Sequence, residues 1–178
     1  MREEPLESMF ARLPEEEEAA IAVWIVVPPP DVKAAAAEAQ EAFAHLDWLA
    51  PLPQHFLHVT LGPGDGPAPP ATDPFRIEYG GVGCFHEAVI GEVHGEGLRG
   101  LAEALRPDLD AFLPHLSLAY VREPRPPDEL RQALALLRDV RLGEQLVEEV
   151  ALVHVPFSRT SLLEPWTPLR TFRLGRPR

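Results

Sequence analysis

Two short stretches of this chain echo each other: His58-Val59-Thr60-Leu61 and His115-Leu116-Ser117-Leu118. Each sets a histidine and a hydroxyl two residues apart, with an apolar residue after each. Side chains alternate across a β-strand, so His58 and Thr60 share one face while Val59 and Leu61 share the other. His115 and Ser117 pair in the same way, opposite Leu116 and Leu118. A strand patterned like this turns one face to a core and the other to a cleft. Two of them side by side aim two imidazoles and two hydroxyls at one point. That equipment suits cleavage of a phosphodiester by one acid and one base.

The surroundings of the two stretches are duplicated as well. In the first half a buried strand (Ala20–Val27), an alanine-rich helix with Asp31 as its N-cap (Val32–Leu46) and the motif strand (Phe56–Leu61) follow in order. In the second half the order is strand Ala88–Val93, helix Gly97–Leu105 and the motif strand within Phe112–Val121. Further elements are expected as a strand at Phe75–Tyr79 with a bend at Gly80–Gly83, a helix at Asp128–Asp139, and strands at Val147–Val155 and Thr171–Leu174. Residues 62–73 form a turn-rich loop. Residues 1–18 read as an acidic lead with a short helix at Leu6–Leu13, and residues 19–178 as a single bilobal domain. The expected fold class is α+β: two pseudo-symmetric lobes, each an antiparallel sheet with outer helices, and a cleft between them where the equivalent strands meet.

On these residues the chain resembles the two-histidine phosphoesterase superfamily, on the branch of the 2′-5′ RNA ligase-like proteins and RNA 2′,3′-cyclic phosphodiesterases. The likeness runs from about Ala20 to Leu174 and includes Gly83-Cys84-Phe85 between the two motif strands and Pro114 before the second motif. It implies a metal-independent site made by His58, Thr60, His115 and Ser117, with His115 as base, His58 as acid and the hydroxyls on the phosphate oxygens. The implied reaction is hydrolysis of 2′,3′-cyclic phosphates on RNA ends or small nucleotides, with 2′-5′ ligation as its reverse. The same cleft could instead sense a nucleotide or RNA end without turnover, or cleave 2′-5′- or 3′-5′-linked oligonucleotides. Two departures stand out. Many ligase-like members carry an arginine shortly after the second motif, where this chain has Ala119-Tyr120; and Gly62-Pro63-Gly64 follows the first motif at once.

With no arginine at that place, Arg159 in the Ser158–Ser161 loop is the candidate phosphate or ribose contact. Tyr120 and Phe56 are candidate stacking platforms for a base, with Phe85 and Phe157 behind them. Tyr120, three residues past Ser117, falls on the opposite face unless a bulge intervenes. His154 lies on a strand and could reach the cleft, whereas His45, His55, His86 and His94 fall near element ends and read as surface groups. No His-Glu-x-x-His helix or Cys-x-x-Cys pair is present, so no metal and no cofactor is expected, and Cys84 reads as a small core residue.

Charge narrows the partners. The net charge of −12 opposes binding of duplex DNA, so a small nucleotide or an RNA 3′ end is the expected partner. Lys33 is the only lysine, and the arginine-rich, proline-rich composition reads as that of a GC-rich genome. The longest apolar stretch, Ala19–Pro30, is too short to cross a bilayer. A single cysteine and an acidic start without an apolar run point to a cytoplasmic protein, and a monomer is expected.

Overall fold

A computed structural model of the chain describes residues 5–15, 21–106, 113–156 and 158–175. The expectations that touch Ala20, Phe112, Phe157 and the rest of the acidic lead lie outside the described residues.

The apolar run at the start of the domain forms β1 (Ile21–Val26). Pro28 and Pro29 end it, and α1 (Pro30–Glu41) begins with a proline in its first turn. Proline suits that place because the first-turn amides have no helical partner. Asp31 therefore lies inside the first turn rather than at the cap, and Pro29 caps the helix without a side-chain bond. The helix ends at Glu41, short of the expected Leu46, in a run of turns. The chain continues through β2 (Leu49–Pro51), a single 3₁₀ turn at Gln54–Phe56 and β3 (Val59–Pro63). Phe56 is thus in a turn, and the first motif strand starts just after His58.

The second half brings β4 (Phe75–Cys84), β5 (Ala88–His94), α2 (Glu96–Leu105) and β6 (His115–Val121). The bend expected at Gly80–Gly83 is an irregularity inside β4 rather than its end. Gly81 there has φ +70, and the register slips against β5 at this point. The chain ends with α3 (Asp128–Leu134), β7 (Arg141–Val147), β8 (Glu149–Val155) and β9 (Thr167–Arg173). The strand expected at Val147–Val155 is β8, which starts two residues later at Glu149; Val147 is the last residue of β7, which belongs to the other sheet.

All the strand pairings are antiparallel. One sheet has the order β3-β1-β8-β9 and the other β2-β6-β5-β4-β7. In each, a motif strand (β3 or β6) lies beside the strand that opens its own duplicated unit (β1 or β5). The two-lobed α+β expectation therefore holds. The helices, however, lean across: α1 packs on β6 and β7, and α2 on β3 and β4. Close seating of α1 requires Gly143 in β7, where φ is +139 and a Cβ would stand 2.8 Å from Val32 Cγ2. Val59, Leu61, Leu116 and Leu118, the apolar halves of the two motifs, are wholly buried in one continuous core. Because β3 and β6 lie against each other at the seam, the polar halves are forced to the same place.

Residues 5–15 fold against this body. Leu6 and Leu13 are 5% and 3% exposed, and the helix expected between them is a single 3₁₀ turn at Phe10–Arg12. No helix among the described residues is long and apolar enough to cross a membrane.

Candidate active site

Both histidines are held by the same local device. His58 Nδ1 lies 2.6 Å from the carbonyl oxygen of Phe56, and His115 Nδ1 lies 2.9 Å from that of Leu113, in each case two residues back. A carbonyl oxygen only accepts, so Nδ1 carries the hydrogen and Nε2 is left for chemistry. Each ring is also braced edge-on by a phenylalanine: His58 by Phe56 at 5.3 Å between ring centres, and His115 by Phe85 at 5.4 Å. Among the described residues only His58 has a second aromatic neighbour, Trp166, at 5.2 Å and nearly perpendicular. Trp166 comes from the loop between β8 and β9 and also touches Phe56.

His58, Thr60, His115 and Ser117 line one cavity of about 230 Å³, together with Met9, Phe85, Glu87, Ala88 and Tyr120. A larger cavity of about 550 Å³, between Val27, Glu148 and Arg173, includes no histidine and none of these residues. Among the described residues no group of three or more histidine, cysteine or acidic side chains is gathered as a metal site.

The two imidazoles are not equivalent. Burial disfavours the charged form of His58 and pushes its pKa down to about 4; the bond to Phe56 works the other way, and repulsion from His115 adds to the lowering. Tyr120 reaches the cavity because of a bulge. Val89 pairs with Ala119 but Ile90 pairs with Ser117, so Leu118 is passed over and the strand phase flips. Ser117 and Tyr120 therefore share a face. The Tyr120 hydroxyl hydrogen-bonds Ser117, and burial pushes its pKa up to about 12, which keeps it protonated.

Two of the candidate residues are placed elsewhere. Phe56 is 1% exposed and serves as packing beneath His58, so it offers no face to a base. Arg159 is not on the cavity wall. Its Nε donates to the carbonyls of Phe10 and Leu13, at 2.9 and 3.2 Å, and its guanidinium lies 3.7 Å from Glu15. Those carbonyls take the Nε–H and hold the guanidinium against residues 10–15, away from the cavity. His154 is paired across the sheet with Ala22 and Thr167 and does not line the cavity. His45, His55, His86 and His94 are exposed. Cys84 is half-buried against the core, and burial raises its thiol pKa.

Met9, Glu87 and Trp166 escape a reading of the sequence. Met9 lies in a stretch whose acidity suggests solvent, Glu87 in a turn before β5, and Trp166 far along the chain from His58. The spacing of Leu6, Met9, Phe10 and Leu13 is the one signal that this segment has an apolar side to bury.

No protein-family model matches the chain, and no curated protein does. Solved structures do. TT0787 of Thermus thermophilus is 25% identical, with a TM-score of 0.69 over 88% of this chain and 100% of that one. A protein described as a phosphoesterase is 16% identical, with a TM-score of 0.67 over 89% and 100%. LigT of E. coli, in its complex with 3′-AMP, is 18% identical, with a TM-score of 0.64 over 89% and 100%. LigT has also been solved with ATP and with NADP+. Each of these three matches spans 88–89% of this chain and 100% of the other, so the fold is shared over that span.

Proposed function

We infer that this chain, which has the fold and both motif strands of the two-histidine phosphoesterase superfamily, is a phosphodiesterase that opens 2′,3′-cyclic phosphates of small nucleotides or RNA 3′ ends. The observation that carries the reading is the mirrored pair: two imidazoles with Nδ1 tied to a carbonyl, beside two hydroxyls, on one cavity. Such a pair can give and take a proton on opposite sides of one phosphorus.

His58 is the base, because burial keeps it neutral. It takes a proton from water as the water oxygen bonds to phosphorus. The bond from phosphorus to one ribose oxygen breaks, and His115 gives that oxygen its proton. Thr60 and Ser117 donate to the non-bridging oxygens as charge gathers there. Tyr120, protonated, holds the Ser117 hydroxyl in place. This assignment reverses the one that the resemblance implies, and the burial of His58 supports the reversal. With a 5′-hydroxyl in place of water as the nucleophile, the same steps join two ends 2′-to-5′: His58 takes the 5′-hydroxyl proton, the 5′ oxygen bonds to phosphorus, and the 3′ oxygen leaves with the proton from His115. The nucleotide complexes of LigT support a nucleotide-sized ligand for this cleft.

The test is hydrolysis of nucleoside 2′,3′-cyclic monophosphates and of a short RNA with a 2′,3′-cyclic end, in EDTA. His58→Ala and His115→Ala are each expected to lose about 10²–10⁴-fold in rate. Retained activity in either variant refutes the paired roles. Binding without turnover by the wild type would make the cleft a sensor.

A further inference from the structure

The segment from Pro5 to Glu15 joins the rims of both sheets. On the side of the five-stranded sheet, Leu6 N–H donates to Arg125 O at 2.9 Å, Glu7 N–H to His86 O at 2.7 Å and Met9 N–H to Val121 O at 2.9 Å. The Ser8 hydroxyl donates to Arg122 O. On the side of the four-stranded sheet, Arg159 in the loop after β8 holds Phe10 and Leu13 by their carbonyls, and its N–H donates to Pro14 O at 2.9 Å. Between these anchors Met9 forms part of the cavity wall, and Arg12 lies 2.6 Å from the carboxylate of Glu87, which faces the same cavity.

We propose that this strap, stapled by Arg159, selects nucleoside 2′,3′-cyclic monophosphates over the cyclic ends of longer RNA. The inference rests on the phosphodiesterase reading above and narrows its substrate. The cavity of about 230 Å³ is smaller than the roughly 300–1,000 Å³ of pockets that enclose a drug-sized ligand, so one nucleotide fills it. The strap crosses the end where Met9, Glu87 and Tyr120 stand, so a second nucleotide that continues there must pass over it. Its charge acts in the same direction. Glu7 and Glu15 are exposed on it, and Arg12 is engaged by Glu87, so a further phosphate meets carboxylates with no unpaired cation of the strap to offset them. Arg159 is a positioning residue here: it acts on the substrate only through the strap.

The experiment compares kcat and KM for adenosine 2′,3′-cyclic monophosphate and for a short RNA ending in the same cyclic nucleotide. Wild type, Arg159→Ala and Met9→Ala are run side by side, with amide hydrogen exchange at Leu6, Glu7 and Met9 reporting whether the strap is held. Wild type is expected to prefer the mononucleotide. Both substitutions are expected to shift the ratio of kcat/KM toward the RNA by about tenfold, the size of discrimination that one side chain's contacts commonly set. The change should appear in KM for the RNA, while Arg159→Ala leaves the mononucleotide kcat where it was. A wild-type preference for RNA overturns the proposal. So does an unchanged ratio in Met9→Ala, whose effect does not depend on loosening the strap. Turnover of neither substrate by the wild type would instead sink the phosphodiesterase reading.

Discussion

Replacing Trp166 with alanine tests the physical cause of the difference between the two histidines. The indole stands edge-on to His58 at 5.2 Å, and burial is the largest influence on that imidazole, holding it near a pKa of about 4. Removing the indole admits water to one face of the ring, so the pKa must rise toward the ordinary value of about 6.5. As the base, His58 works only when neutral, and the acid limb of kcat/KM reports its titration in the free enzyme. With a pKa of about 4, roughly nine-tenths of His58 is neutral at pH 5. A rise of one unit, worth about 1.4 kcal/mol, leaves about half neutral, a twofold loss of rate at that pH. A complete return to about 6.5 gives roughly a thirtyfold loss at pH 5. Above about pH 7.5 the imidazole is neutral in either case, so the rate there stays where it was. The assay is a pH series of kcat/KM, paired with a direct titration of the imidazole Cε1–H by nuclear magnetic resonance. Circular dichroism confirms the fold of the variant. An acid limb that stays in place in a folded Trp166→Ala protein refutes burial as the cause, and a limb that moves to lower pH refutes the assignment of base.

On the proposed mechanism Thr60→Val and Ser117→Ala each remove a donor to the phosphate, and each is expected to lower kcat by about 10²-fold in steady-state kinetics. A loss confined to KM would contradict a role in the transition state. The burial of His58 also sets a pH dependence of stability. Its folded pKa lies below its unfolded one, so the unfolded chain binds more protons between the two values. Stability from this source is complete above about pH 6.5 and is lost as the pH falls toward about 4. Urea midpoints should therefore fall from pH 7 to pH 5, and His58→Gln should flatten that slope; an equal slope in the variant would assign it to other groups.

The parts of the fold that could be read in advance are those where one pattern serves one purpose. Val59, Leu61, Leu116 and Leu118 alternate with polar residues because they alone enter the core, and that alternation located both motif strands. Other elements give no such signal. β7 (Arg141–Val147) is an edge strand interrupted by Gly143, with only Leu142 and Val147 buried, so no regular apolar alternation marks it as a strand. β2 is three residues, the last of them Pro51, too short for any pattern of its own, and its partner in the sheet is β6. The bulge at Leu118 adds no residue type of its own, yet it decides that Tyr120 faces the cavity. Arg159 illustrates the converse. A loop arginine near a cleft has the chemistry of a phosphate ligand. Only the tertiary placement of the Phe10 and Leu13 carbonyls shows what its donors hold.

Duplication explains the geometry of this site but cannot by itself explain its chemistry. Two copies of one strand, each fixing a histidine to the carbonyl two residues back, produce two imidazoles with the same tautomer and the same brace. Identical environments would give identical protonation, and cleavage in which the attacking oxygen loses a proton while the leaving oxygen gains one needs them to differ. The difference comes from the parts of the chain that are not repeated. Trp166, on the loop between β8 and β9, packs against the first histidine, and no counterpart of it reaches the second among the described residues. That same loop carries Arg159, which holds the strap that brings Met9 to the cavity. On the two proposals above, one unrepeated loop therefore favours His58 as the neutral base and limits what can be placed beside it. Changes in this loop are expected to alter acid–base balance and substrate length together, while changes in the repeated strands disable the site as a whole.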